Sequence, residues 1–171
     1  MLRRYAGRFV DLLAVLAIAF VAYRIFFAPR DLSARNAHPA PRVTYVPLAG
    51  GTPFALHDQR GKLVFLDFFA SWCEPCRISL PWVESFARAH PDVEVIPVDV
   101  GEPAAVARDF AQRYGLHGVV LDPQALSSGF FQIQGFPTMV VVDPQGRIRA
   151  TWEGLNPAIK LNMENARKTL L

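Results

Sequence analysis

The spacing of apolar residues changes several times along the chain, and each change marks an element. From Phe9 to Ala28 the positions are mostly apolar, broken by the charges of Asp11 and Arg24. Twenty helical residues reach about 30 Å, the hydrocarbon thickness of a bilayer, and a long Arg side chain near the end of such a segment can snorkel to the headgroups. Residues 29–42 hold three prolines and few large apolar groups, the composition of a partly extended linker. Short strands are expected at Val43–Val46 and Phe54–Leu56. A continuous run at Leu63–Ala70 then reads as a buried central strand. Cys76, Leu80, Val83, Phe86 and Ala87 recur at helical spacing, predicting a helix from Glu74 to Ala89 that Pro81 should kink. Strands follow at Val93–Val100 and Gly118–Leu121. A helix at Pro103–Tyr114 shows Val106, Phe110 and Tyr114 on its apolar face, and a helix or helical turn is expected at Pro123–Gln134. Met139–Val142 and Arg147–Trp152 form a hairpin about the turn Asp143-Pro144-Gln145-Gly146. A last helix starts near Asn156, with Pro157 at its first position, and ends near Leu170. Strands alternating with helices predict an α/β fold, a mixed sheet covered on both faces.

Charge sharpens the division. The 171 residues carry a net charge of +3, but seven arginines against two aspartates place +5 in residues 1–42, leaving −2 for the remainder. The basic balance belongs to the N-terminal arm. No basic, aromatic-interleaved patch points to nucleic acid, and that partner is discarded. The chain therefore divides into an anchor at 1–28, a linker at 29–42 and a domain at 43–171. Arg3, Arg4 and Arg8 before the apolar segment suggest a cytoplasmic N-terminus, although Arg24 near its end and Arg30, Arg35 and Arg42 after it weaken the asymmetry. The rival is a cleaved signal peptide built on Leu12–Tyr23, against which no small-x-small site follows at once. No cysteine lies near the segment, which excludes a lipoprotein anchor.

The only two cysteines, Cys73 and Cys76, fall where the central strand ends and a helix begins. Pro75 suits the first turn of that helix, where a missing N–H costs nothing. A thiol at a helix N-terminus has a lowered pKa, and the thiolate is the attacking form. Cys73 is thus the expected nucleophile, accessible, and Cys76 the buried partner that closes a disulfide with it. A c-type haem site would need His at position 77, which is Arg77; a zinc site would need two more ligands, and the four histidines form no spaced pair. Glu74 either disfavours the neighbouring thiolate or serves as a helix-start acid. Trp72 either shields the site and receives a partner or packs in the core. Asp67 shares a strand face with Leu63, Phe65 and Phe69. An acid there is costly without a role, its pKa should rise, and it can act as base toward Cys76.

The segment from Phe69 to Arg77, followed by Pro81, resembles the active-site segment of the thioredoxin superfamily. Gly135-Phe136-Pro137-Thr138 resembles its cis-proline loop. With the apolar segment in front, the chain is similar to the membrane-anchored TlpA/ResA type of thiol–disulfide oxidoreductase, over about Leu48 to Leu171. The resemblance implies a thioredoxin-like three-layer sandwich preceded by one transmembrane helix. It implies catalysis at Cys73 and Cys76 with Asp67 and Glu74, and substrate contact at Trp72, Phe136 and Pro137, with no metal or cofactor. Asp67 stands where thioredoxin has its buried aspartate and many TlpA-type proteins have Asn. Thioredoxin's lysine partner is matched by Pro97. The implied enzyme sits in the cytoplasmic membrane, faces the periplasm or exterior, and reduces disulfides of client proteins, for example in cytochrome c biogenesis. A membrane thiol-relay protein would supply its electrons. The alternatives are a dithiol oxidase or isomerase of secreted proteins, a copper- or haem-handling binding protein, and a thiol peroxidase, against which the tight Cys-x-x-Cys pair speaks.

Overall fold

A computed structural model of the chain describes residues 2–26, 32 and 37–171. The end of the expected anchor at 27–28 and most of the expected linker, 29–31 and 33–36, lie outside the described residues. Helix α1 (Leu2–Phe26) comes first; its side chains are described only for residues 11–23. Among the described residues, no helix is long and apolar enough to cross a membrane.

The domain is built on an eight-stranded sheet of order β1-β8-β7-β4-β5-β6-β2-β3. Its strands are β1 (His38–Pro39), β2 (Thr44–Pro47), β3 (Phe54–Ala55), β4 (Val64–Phe69), β5 (Glu94–Val100), β6 (Val120–Asp122), β7 (Thr138–Val142) and β8 (Arg147–Glu153). Three strands flank β4 on one side and four on the other, so its whole length, Val64 to Phe69, is buried. It runs parallel to β5 and antiparallel to β7. One face of the sheet carries Val64, Leu66, Phe68, Val98 and Val140, covered by Tyr45, Leu56, Phe131 and Ile133. The other carries Leu63 and Phe65, which pack against Val83 and Phe86 of α2 (Glu74–Ala89) and Ile159, Met163 and Ala166 of α5 (Ile159–Leu170). Phe65 and Phe86 meet edge-on, 6.0 Å between ring centres. Full burial of each such side chain contributes about 1.5–3 kcal/mol. The fold is the expected thioredoxin-like α/β arrangement, a mixed sheet between helical layers.

The helices show where sequence periodicity misleads. Helix α2 has the expected bounds and is one continuous element across Pro81. In α3 (Ala104–Tyr114) the inward residues are Ala107, Phe110 and Ala111, and Val106 is exposed; the larger residue of an adjacent pair is not always the one that faces the core. Gly115, with φ of +63°, closes α3 in the left-handed conformation that suits glycine. The helix expected at Pro123–Gln134 shrinks to α4 (Leu126–Phe130), bracketed by left-handed Ala125 and Gln132. Its break turns Phe131 and Ile133 inward and leaves Phe130 exposed. Helix α5 starts at Ile159, so Pro157 lies in the preceding turn and not at the first helical position. The Asn156 side chain already serves there, its Oδ1 accepting the Ala158 N–H at 2.9 Å.

Residues 37–40, within the expected linker, join the sheet. β1 pairs with β8, the Ala40 N–H donates to the Gly146 carbonyl, and Arg147 donates to the Ala37 carbonyl at 2.9 Å. Leu32 packs on the α2–α5 side of the core.

Candidate active site

The dithiol sits at the carboxyl end of β4, on the turn into α2. Cys73 is the N-cap of α2 and its Sγ accepts the Cys76 N–H at 3.1 Å; Pro75 falls within the first turn, where its lack of an N–H is harmless. Cys73 and Cys76 form a disulfide. In this oxidised form both sulfurs are covered, Cys73 being 4% exposed and Cys76 fully buried. Cys73 is therefore not the open residue that its expected role suggested, because Phe69, Leu80 and Phe110 pack around the pair.

The open residue is Trp72, 68% exposed, which removes the core-packing reading of it. Its ring meets that of Phe136 edge-on at 5.8 Å. The Phe136–Pro137 peptide is cis, and its loop is tied down from both sides. Thr138 Oγ1 donates to the Gly135 carbonyl at 2.7 Å, and the Gly154 N–H donates to the Pro137 carbonyl at 2.8 Å. The structure thus brings Trp72, Phe136 and Pro137 together beside the cysteines, although some sixty residues separate the two motifs.

Asp67 lies under the same turn. It is 2% exposed, opposite Pro97 on β5 and Met139 on β7, so the position of thioredoxin's lysine offers no charge. Burial alone pushes its carboxyl up to about 7. Its Oδ2 has no hydrogen-bond partner among the described residues. A cavity of about 10 Å³ beside it is lined also by Ser79, Pro137, Trp152 and Asn156. Ser79, which lines that cavity with Asp67, donates through Oγ to the Cys76 carbonyl at 3.3 Å. The buried Trp152 Nε1 and Asn156 Nδ2 also lack partners among the described residues, so the cavity has two donors and one acceptor around it.

Glu74 is exposed and paired with Arg77 at 2.8 Å. That fits a helix-start acid with a partner, and the opposed charge of Arg77 offsets what Glu74 would do to the thiolate. Arg77 also donates through Nε and Nη2 to the Ser71 carbonyl at 3.2 and 2.9 Å. Sequence reasoning missed Ser71, Asp99 and Glu102. Asp99 shares a strand face with Pro97 and Val95 and is fully buried; an acid within an apolar strand was the signal, the same one that marked Asp67. Glu102 follows the strand end, and nothing in its surroundings in sequence marks it. Among the described residues no cluster of metal-binding side chains occurs.

Similarity to known proteins agrees with this geometry. Residues 61–148 match a family model described as thioredoxin-like. The chain is 32% identical to the thiol–disulfide oxidoreductase ResA of Geobacillus kaustophilus over 151 residues, 86% of each chain. It is 29% identical to ResA of Bacillus subtilis, over 80% of this chain and 77% of that one. A solved structure assigned to a DsbE-type thiol:disulfide interchange protein of Chlorobium tepidum superposes with a TM-score of 0.73 at 27% identity, covering 81% of this chain and 99% of the other.

Proposed function

The chain belongs to the thioredoxin-like family, among the thiol–disulfide oxidoreductases of the ResA type, and from that premise we propose that it is a membrane-tethered reductant of disulfides in extracytoplasmic client proteins. One observation carries the exchange chemistry: the Cys73–Cys76 disulfide packs with the partly buried Phe136, whose ring meets the exposed Trp72, and the strand that leads into it carries a buried, uncompensated acid, Asp67. The aromatic pair offers a client an apolar surface, and the backbone at Phe136 pairs with an extended client segment by strand addition.

In the reduced enzyme the Cys73 thiolate, favoured by the α2 N-terminus, attacks one sulfur of the client disulfide. A mixed disulfide forms and the other client sulfur leaves as a thiolate. Asp67 takes the proton of Cys76. The Cys76 thiolate attacks Cys73 Sγ, closes the disulfide and releases the second client thiol. Two electrons pass to the client. A membrane protein carrying a dithiol restores the enzyme by the reverse exchange, since the compartment itself supplies no reductant. Cysteines of apocytochrome c and of copper sites suit such a reductant as clients.

Tethering is supported by α1. Among its described residues, Leu12, Leu13, Val15, Leu16, Ile18, Phe20 and Val21 are all exposed, an apolar surface that water alone does not cover well. The Arg3, Arg4 and Arg8 cluster before it favours an N-terminus in the cytoplasm and a domain on the other side.

The direction is tested by the reduction potential of the dithiol, equilibrated against glutathione and dithiothreitol. A reductant should read near thioredoxin's value of about −270 mV or below, whereas a value toward −120 mV, about that of a strong dithiol oxidase, would overturn the reading in favour of an oxidase.

A further inference from the structure

Ser71 stands two residues after the end of β4 and two before Cys73, and every polar group it has is held. Its backbone N–H and its Oγ both donate to the Glu102 carboxylate, each at 2.6 Å. Its carbonyl accepts the two bonds from Arg77, which is itself paired with Glu74. Glu102 is 8% exposed. Asp99 belongs to the same buried pocket of charge: it lies opposite Phe69 in the β4–β5 register and has no exposed surface. Neither of its oxygens has a partner within hydrogen-bonding geometry among the described residues, and Glu102 lies near enough for its charge to act on Asp99. A second carboxyl group in the same dry pocket makes Asp99 keep its proton to a higher pH than an isolated aspartate would.

We propose that Asp99 and Glu102 are positioning residues of the dithiol: a proton on Asp99 lets Glu102 remain a carboxylate, and that carboxylate clamps Ser71 and with it the turn that carries Trp72 and Cys73. Burial first, and then the charge of Glu102, push Asp99 up to about 7, so the clamp changes state within the working range of an extracytoplasmic enzyme. When Asp99 loses its proton, two negative charges stand behind the turn. They repel each other, loosen the hold on Ser71 and disfavour a thiolate at Cys73. First attack is therefore coupled to the proton on Asp99, while the proton on Asp67 governs the later step at Cys76.

The charged groups around the pair are few. On β4 the nearest on the same face is Asp67, two residues along from Phe69. On β6, Asp122 is engaged with the N–H groups of Leu126 and Ser127. Helix α2 contributes Glu74, Arg77 and the cysteines. Helix α3 turns only Ala107, Phe110 and Ala111 inward, its Arg108, Asp109 and Arg113 being exposed.

The test is the rate of the first attack by the reduced full-length protein, in detergent, on glutathione disulfide from pH 5.5 to 9. It is read with the 240 nm absorbance of the Cys73 thiolate. Asp99→Asn keeps an uncharged donor beside Glu102. It should remove the break in the rate profile near pH 7 and lower the apparent Cys73 pKa. Glu102→Gln loses the charge that holds Ser71 and should slow the attack by about tenfold or more across the range, the effect of losing a charge-assisted hydrogen bond. Ser71→Ala removes only the Oγ bond and should fall between, which keeps the test open if Glu102→Gln does not fold. A profile for Asp99→Asn that breaks where the parent's does, with an unchanged thiolate titration, would overturn the proposal. So would a folded Glu102→Gln or a Ser71→Ala that attacks at the parent's rate.

Discussion

Asp67 is the residue whose chemistry and cost are most tightly joined. Its carboxyl is pushed up to about 7 by burial, with no cation opposite and one oxygen unpartnered. A base with that affinity can take a thiol proton near neutral pH. Asp67→Asn keeps the shape and removes the base. Attack by Cys73 should be almost unchanged, but release of the mixed disulfide should slow, most clearly near pH 7. Single-turnover reduction of a model disulfide, with acid quench and mass analysis of the trapped species, reads both steps. Equal accumulation of the mixed disulfide in parent and variant at every pH would show that Asp67 is not the base. The same substitution should stabilise the protein at pH 8 by roughly 1–4 kcal/mol, since holding the carboxyl at about 7 in place of 3.8 corresponds to about 4 kcal/mol and the new amide is itself left unpaired.

At the scale of elements, the segment before the domain has two parts. Helix α1 carries exposed apolar residues, whereas β1 is stitched to the hairpin end of β8. β8 meets the cis-proline loop at its other end, where Glu153 stands opposite Thr138. The chain therefore reaches the sheet at the pole away from the dithiol. Removing residues 1–28 should release the protein from membranes and leave thiol exchange intact. A chain starting at residue 43 also lacks β1, and should be less stable than one starting at 37 by about 1 kcal/mol, the worth of one or two exposed ladder bonds. Urea midpoints of the two truncations check this. Identical midpoints would mean that β1 only rests on the sheet, and loss of exchange in either would mean that the N-terminal part belongs to the site.

Across the whole molecule the buried acids set how stability follows pH. Asp67 and Asp99 have folded-state values raised to about 7 from an ordinary 3.8. The stability linked to them is fully present below about pH 4 and is lost as pH rises through about 7. Glu164 acts in the opposite sense. Arg167, bonded to it first, holds it down to about 2, so its contribution is present above the ordinary carboxylate range and disappears as pH falls toward 2. The melting temperature of the oxidised protein should therefore be highest at about pH 4–5 and fall by several degrees between there and about pH 7, staying low at pH 8. Asp67→Asn and Asp99→Asn should each flatten the alkaline side. A curve that is level or rising from pH 5 to 8 would contradict the burial of these acids.

The sequence by itself determined the elements whose signals are local. Alternating faces and turn residues sufficed for β4, α2, the β7–β8 hairpin and the strand-to-helix placement of Cys73 and Cys76, because period, proline position and glycine turns act within a few residues. Asp67 was legible for the same reason, as an acid on an apolar strand. Other features depend on which segments meet. α4 is one turn long because Phe131 and Ile133 must reach the core. Trp72 is exposed because Phe136, from a distant loop, lies at its edge while the core beneath is filled by Phe69 and Phe110. Arg77, Ser71 and Glu102 form one clamp only because β5 ends beside β4, a register that no single stretch of sequence contains. The closing of both sulfurs beneath that surface is likewise a property of packing: the motif specifies which thiols react, and the tertiary structure decides what covers them and which protons govern them.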